Sequence, residues 1–362
     1  MASSAPEAPD LDALPHRVGL LGGGVIGGGW AARFVLAGVD VALFDPDPLA
    51  ARKITEILDN ARIAQQALSR GPRPAEGSWS IVDTVAEAVA GAQFIQESAP
   101  ERESLKRELL AEASRSAAGD VVISSSTSGL LPSKLQADMV GPERLVVGHP
   151  FNPVYLLPLV EVCGGSRTSD DAVARAISVY GALGMRPLHV RKEVDGFIAD
   201  RLLEALWREA LWLVADGVAT AEELDDAIRF GPGLRFASMG TMLTYRIAGG
   251  EGGMRHFMSQ FGPALSWPWT HLTEVPVLTD ELLDRITTQS DQQAAGASVR
   301  ELERLRDKCL VAVLEGLRDI PYGAGEVLAA YDVALQQQFD ANNEDGDRPG
   351  HPIHHEQEVR TP

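Results

Sequence analysis

Only two cysteines, Cys163 and Cys309, occur in the 362 residues. Both stand in apolar runs, which reads as buried thiols and not as a bridge, and no metal-ligand spacing surrounds them. Positive charge is also scarce: 32 Lys and Arg face 51 Asp and Glu, a formal net charge of −19. A field of that sign disfavours nucleic acid and anionic membrane surfaces, because both are held by basic patches. It disfavours polyanionic substrates and helps cationic ones. No apolar run approaches the length of a membrane span. Residues 1–14 have neither a basic n-region nor an apolar h-region, so they read as a flexible leader and not as a signal peptide. The expectation is a cytoplasmic protein. Aromatic residues make up only 6% of the chain, so a local concentration of them is informative.

Glycine, by contrast, is abundant, and the arrangement of one group carries meaning. The apolar run Val18-Gly19-Leu20-Leu21 leads into Gly22-Gly23-Gly24-Val25-Ile26-Gly27, and a helix opening follows. A second apolar run, Val39 to Phe44, ends in Asp45. Gly22 permits the tight turn, Gly24 lets a pyrophosphate approach the backbone, and Gly27 lets helix and strand pack closely. The phosphates then face the positive end of a helix dipole. Asp45 can bind both ribose hydroxyls of NAD and would repel the 2′-phosphate of NADP. Strand, glycines, helix, second strand and terminal acid in this order make a chance Gly-rich turn a poor explanation.

Strands then alternate with helices up to about Val190, which predicts a doubly wound, mostly parallel sheet covered on both faces. Leu49 to Ser69 shows a helical apolar period through Ile54, Ile57, Leu58, Ile63 and Leu68. From Gly196 the texture becomes helical throughout. The expected organisation is a leader (1–14), an α/β Rossmann domain (15–193), an all-α substrate and dimerisation domain (194–339) and a disordered tail (340–362). The tail holds His351, His354 and His355, which read as solvated residues and not as a metal site.

Ligands gather at the carboxyl ends of parallel strands, and three polar clusters fall there: Ser125 to Ser128, His149 to Asn152, and Glu161. His149 and Glu161 are separated by a loop bent by Pro150, Pro153 and Pro158. A carboxylate on one imidazole nitrogen would fix the tautomer and leave the other nitrogen as a base. Ser128 can hydrogen-bond a substrate hydroxyl, and Asn152 can hold the nicotinamide end of the cofactor. An unprotonated base is required, so oxidation should rise with pH.

The glycine stretch, Asp45, Glu101 with Lys106, Ser125-Ser126-Thr127-Ser128, His149-Pro150-Phe151-Asn152-Pro153, Glu161 and Asp195 to Leu202 together resemble the 3-hydroxyacyl-CoA dehydrogenase family. The likeness runs from about Arg17 to Leu317. It implies that His149 takes a hydroxyl proton, that Glu161 orients it, and that Ser128 and Asn152 contact substrate and cofactor. It also implies that Glu101 and Lys106 contact the nicotinamide half of NAD, and that the protein is a homodimer. Two positions depart from the family pattern. Ser126 and Asp200 stand where the family usually has Asn. A carboxylate at residue 200 would suit a cationic substrate; an ion pair with Arg201 or Arg208 is the plain alternative.

Coenzyme A needs a local cluster of cations, yet residues 51–77 hold only Arg52, Lys53, Arg62, Arg70 and Arg73. Residues 230–269 are instead rich in aromatics, which can cage a quaternary ammonium by cation–π attraction. This stretch resembles the carnitine-oxidising branch of the family, which implies L-carnitine as the small-molecule substrate. Phe151 and Phe261 are the favoured cage residues, with Tyr245 and Trp267 beside them. The alternatives are a dehydrogenase of another small 3-hydroxy acid or short 3-hydroxyacyl thioester, and a non-catalytic NAD-binding protein.

Overall fold

The computed structural model describes residues 9–237, 240–248, 251, 253–261, 277, 279–282, 284–285, 288 and 297–346. Eight strands form one sheet: β1 (Arg17–Leu21), β2 (Asp40–Phe44), β3 (Trp79–Val82), β4 (Phe94–Glu97), β5 (Val122–Ser125), β6 (Leu145–Pro150), β7 (Leu159–Gly164) and β8 (Arg186–Val190). Their spatial order is β3-β2-β1-β4-β5-β6-β7-β8. Neighbours are parallel except β6 and β7. The central strands carry continuous apolar runs because helices cover both faces.

Six helices belong to this layer: α1 (Val25–Leu36), α2 (Ala50–Leu68), α3 (Val85–Val89), α4 (Glu103–Ser116), α5 (Pro132–Leu135) and α6 (Asp170–Ala182). The core under α1 is aromatic. Trp30 and Phe94 lie 5.2 and 5.6 Å from Tyr180, centroid to centroid. In α2 the buried stripe is Ala50, Ile54, Leu58, Ala61, Ala64 and Leu68. Ile63, counted in the apolar period, is instead 65% exposed. The small Ala61 and Ala64 fill the face that the larger residue was expected to occupy. Cys163 is buried and Cys309 exposed, so the reading of two buried thiols holds for the first alone.

The second half is helical where described: α7 (Ala199–Ala215), α8 (Ala221–Arg229), α9 (Pro232–Phe236), α10 (Thr241–Ala248), α11 (Gly253–Phe261), α12 (Val299–Leu317) and α13 (Gly323–Gly346). The segment α12–α13 folds back onto α2. Leu314 packs against Ala64, Leu68 and Leu156, and Arg70 pairs with Glu315 at 2.9 Å. Tyr155 Oη donates to Asp307 Oδ2 at 2.5 Å, so α12 also grips the loop between β6 and β7. The last helix runs to Gly346, past residue 340 where composition placed the start of a tail. Gln336 Nε2 donates to Asp340 Oδ1 at 2.9 Å across that point, a side-chain bond one helical turn long. In the expected leader, Asp10 caps a 3-10 turn at Leu11–Ala13. The histidines of the tail lie outside the described residues.

Candidate active site

The register of the antiparallel pair sets His149 on β6 directly opposite Glu161 on β7. Both side chains are buried. His149 Nδ1 lies 3.0 Å from Glu161 Oε2. Glu161 Oε1 accepts the backbone N–H groups of Ile198 and Ala199, each at 2.9 Å. Burial pushes the Glu161 carboxyl up, but the bond to His149 and the two backbone bonds outweigh it, and its pKa falls below the ordinary value. A carboxylate held this way assigns the imidazole proton to Nδ1 and leaves the lone pair on Nε2.

A strained turn delivers the two N–H groups. Gly196 and Phe197 both have positive φ, +70° and +46°. Left-handed backbone at a bulky residue costs on the order of 1–3 kcal/mol. Phe197 is held there because its ring is fully buried with Val147, Cys163 and Val190. The turn points the start of α7, the positive end of its dipole, at Glu161. The ring also packs on His149 at 5.9 Å, while Phe151 meets the imidazole edge-on at 4.9 Å. Phe197 lies within the Asp195 to Leu202 motif, but the sequence reading gave it no role of its own. Its signal was a large apolar residue between Gly196 and a helix start, which by itself reads as core.

On the open side of the imidazole, Asp200 Oδ2 lies 3.7 Å from His149 Nε2. Arg208, one candidate partner for Asp200, pairs with Glu204 at 3.6 Å. Burial raises the Asp200 carboxyl; His149 opposes this, and the charges of Glu161, Glu204 and Glu101 add to it.

The loop after β5 is tied to Glu101. Thr127 Oγ1 donates to Glu101 Oε1, which also accepts the N–H of Ser128 at 3.1 Å. Ser128 itself is exposed. Lys106 is buried, and its ammonium donates to Glu97 Oε1 at 2.8 Å and to the Ala99 carbonyl at 2.9 Å. It reaches Glu101 Oε2 at 3.4 Å. Ser125 Oγ donates to the other oxygen of Glu97 at 2.5 Å. Lys106 thus braces the strand ends that carry Ser128. Glu97, which the sequence reading passed over, is the fully buried hub of that brace.

At the glycine turn, Gly22 has φ +101°, and a Cβ on Gly27 would sit 1.9 Å from the Gly22 carbonyl oxygen. The N-cap of α1, Gly24, offers no side chain to its first-turn N–H groups, and nothing lies within 4 Å of where its Cβ would be. Gly23 donates its N–H to Asp45 Oδ2 at 2.6 Å, which fixes the acid beside the turn. Free helix donors, an open approach and a carboxylate at the end of β2 fit a dinucleotide. Asp45→Ser is expected to raise the KM for NAD about tenfold and to narrow the preference over NADP by more, because the ribose loses a charged acceptor. Initial rates with each nucleotide check this, and an unchanged preference refutes it.

Comparison with known proteins places the chain in a family. The family described as "3-hydroxyacyl-CoA dehydrogenase, NAD binding domain" matches residues 17–194, and its C-terminal domain matches residues 196–282. A protein of Mesorhizobium japonicum named L-carnitine dehydrogenase is 55% identical, covering 86% of this chain and 85% of its own. The chain belongs to the 3-hydroxyacyl-CoA dehydrogenase family. It is an NAD-dependent oxidoreductase acting on a CH–OH group. An Agrobacterium fabrum protein named L-carnitine dehydrogenase/betainyl-CoA thioesterase is 52% identical, covering 90% of this chain and 66% of its own. The chain therefore spans about two thirds of that longer relative. Among solved structures, an NAD+-dependent 5-formyl-3-hydroxy-2-methylpyridine 4-carboxylic acid 5-dehydrogenase is 28% identical with a TM-score of 0.71, covering 84% of this chain and 99% of the other.

The two departures from the usual 3-hydroxyacyl-CoA dehydrogenase pattern acquire a setting. Ser126 Oγ accepts from Trp30 Nε1 at 3.1 Å and Gln96 Nε2 at 2.8 Å and bonds Ser98 Oγ at 2.8 Å. A small hydroxyl thus serves three neighbours at once. Asp200 faces the His149 imidazole. Of the cage candidates, Phe151 touches His149. Tyr245 stacks on Phe257 at 4.8 Å, tying α10 to α11. Trp267 and the side chain of Phe261 lie outside the described residues. Asn152 is exposed on the loop beside Phe151.

Proposed function

We propose that this enzyme oxidises the C3 hydroxyl of L-carnitine to 3-dehydrocarnitine with NAD. The observation that carries the reading is the charge arrangement at His149: a carboxylate on each side of the imidazole, in a relative of proteins named for carnitine. Neutral His149 takes the hydroxyl proton on Nε2, and Glu161 holds Nδ1 and stabilises the imidazolium that forms. Ser128 hydrogen-bonds the same oxygen. Gly22 to Gly27 would hold the pyrophosphate, Asp45 the adenosine ribose, and Glu101, Lys106 and Asn152 the nicotinamide half. Bound NAD supplies the hydride acceptor. The trimethylammonium is assigned to rings led by Phe151 and Phe261, with Tyr245 and Trp267.

The cations after β2 argue against a coenzyme A tail. Arg52, Lys53, Arg62 and Arg70 each pair with a carboxylate, at 3.2, 2.6, 2.7 and 2.9 Å, so they do not form a free basic cluster. We further propose residues 15–193 and 194–339 as the two domains, a homodimer built on the helical half, and a cytoplasmic location; no helix among the described residues is long and apolar enough to cross a membrane.

The test is NADH formation from NAD with L-carnitine, D-carnitine, gulonate and 3-hydroxybutyryl-CoA. Turnover of L-carnitine well above the rest is expected. Faster turnover of the thioester, or none of carnitine, would sink the assignment.

A further inference from the structure

We infer that Asp200 is the charge selector of this site: its carboxylate, 3.7 Å from the Nε2 of His149, requires a cationic group two carbons' reach from the reacting hydroxyl. The inference rests on the carnitine reading and names the residue that enforces it. A hydroxyl on Nε2 sits at about 2.8 Å. In a 3-hydroxy-4-ammonio acid the nitrogen is three bonds from that oxygen, roughly 3–4 Å away at ordinary bond lengths. A carboxylate beside Nε2 is therefore within reach of that nitrogen. It is not within reach of the distant end of a long thioester.

Asp200 is set in place by its own helix, and burial and the neighbouring like charges raise its carboxyl pKa. It stands in the first turn of α7, the same turn whose N–H groups hold Glu161. Its side chain is 27% exposed. Glu101, Glu161 and Glu204 supply the other charges it feels, all of its own sign, and His149 the opposite one. When neutral His149 is the base, a carboxylate facing the Nε2 lone pair is electrostatically unfavourable. A substrate cation beside the carboxylate offsets that repulsion. A neutral or anionic substituent leaves the repulsion in place and adds the desolvation of Asp200 to it. Discrimination thus comes from a penalty on wrong substrates as well as attraction for the right one.

The experiment compares L-carnitine with the isostere that lacks its cationic charge, 3-hydroxy-5,5-dimethylhexanoate, in which carbon replaces the quaternary nitrogen. The wild type is expected to prefer carnitine strongly in kcat/KM. Asp200→Asn should lower the carnitine-to-isostere ratio by about 30-fold, on the scale of one close charge pair in a partly buried site, mostly through the KM for carnitine. Asp200→Glu, which keeps the charge, should retain most of the ratio. NADH affinity, read by fluorescence titration, should stay unchanged in both variants and reports that they are folded. An unchanged ratio in Asp200→Asn, with carnitine still oxidised by the wild type, overturns the selector while leaving the functional reading intact. An equal loss on both substrates also overturns it, because Asp200 then serves the base and not the cation. Absence of carnitine turnover by the wild type overturns the functional reading and the selector together. Should Asp200→Asn not fold, a Asp200→Glu variant that loses the ratio while binding NADH overturns the selector.

Discussion

His149→Ala lowers kcat for NAD-dependent oxidation about 10³-fold, the usual contribution of a positioned general base, and leaves NADH affinity as it was. The split follows from the architecture. The glycine turn and Asp45 are built on β1, α1 and β2, and none of their bonds runs through β6. His149 contributes its two nitrogens and its ring faces: Nδ1 to Glu161, Nε2 to the open side, and the ring between Phe151 and Phe197. Truncation leaves Glu161 with its two backbone N–H donors, so the carboxylate is not stranded and the fold survives. Steady-state rates combined with fluorescence titration of NADH make the check. Near-normal turnover by the variant would remove His149 from the mechanism, and the dyad would then be structural.

Gly148→Ala is expected to destabilise the protein by about 3 kcal/mol, at the upper end for overpacking a core. This corresponds to a Tm roughly 6–12 °C lower for a domain of this size. A Cβ at residue 148 would lie 2.0 Å from Tyr180 Oη and 2.5 Å from Ser124 Oγ. Tyr180 has nowhere to go. Its ring is fully buried between Trp30 and Phe94, and its hydroxyl donates to Gln96 Oε1 at 2.6 Å and bonds Ser124 Oγ at 2.7 Å. Burial without a charge partner raises the phenol pKa, so the hydroxyl stays neutral and keeps donating. The remaining way to relieve the clash is a shift of β6, which carries His149 with it. A fall in kcat should therefore accompany the fall in Tm. Calorimetry on both proteins tests the first part, and a variant as stable as the parent would show that β6 has slack which the packing does not reveal.

Much of this was legible in the chain. Glycine spacing followed by an acid at a strand end is a local signal, because each glycine answers a local demand of backbone or phosphate. The alternation of apolar runs with amphipathic periods gave the doubly wound sheet, since burial on both faces leaves a mark on every strand. His149 and Glu161 were linked by a proline-rich loop short enough to imply a return. Other parts were not legible. Ile63 matched a helical period and still faces solvent, because periodicity does not say whether a small residue already fills the core face. The ion pairs of Lys106 with Glu97 and Glu101 were not foreseen; a charge whose partners lie on a neighbouring strand end leaves no pattern in its own helix. The last helix continues to Gly346, past the point where composition placed the start of a tail.

The amino-acid order alone therefore determined a dinucleotide turn, an acid at the end of β2, a parallel sheet and the candidate base, because these depend on residues close together in the chain. Tertiary structure decided what surrounds the imidazole: Phe197 in its left-handed turn, the start of α7 on Glu161, and Asp200 rather than an arginine partner facing Nε2. Those contacts join β6, β7 and α7, and only packing of the whole sheet edge brings groups from separate elements within hydrogen-bond and ion-pair range.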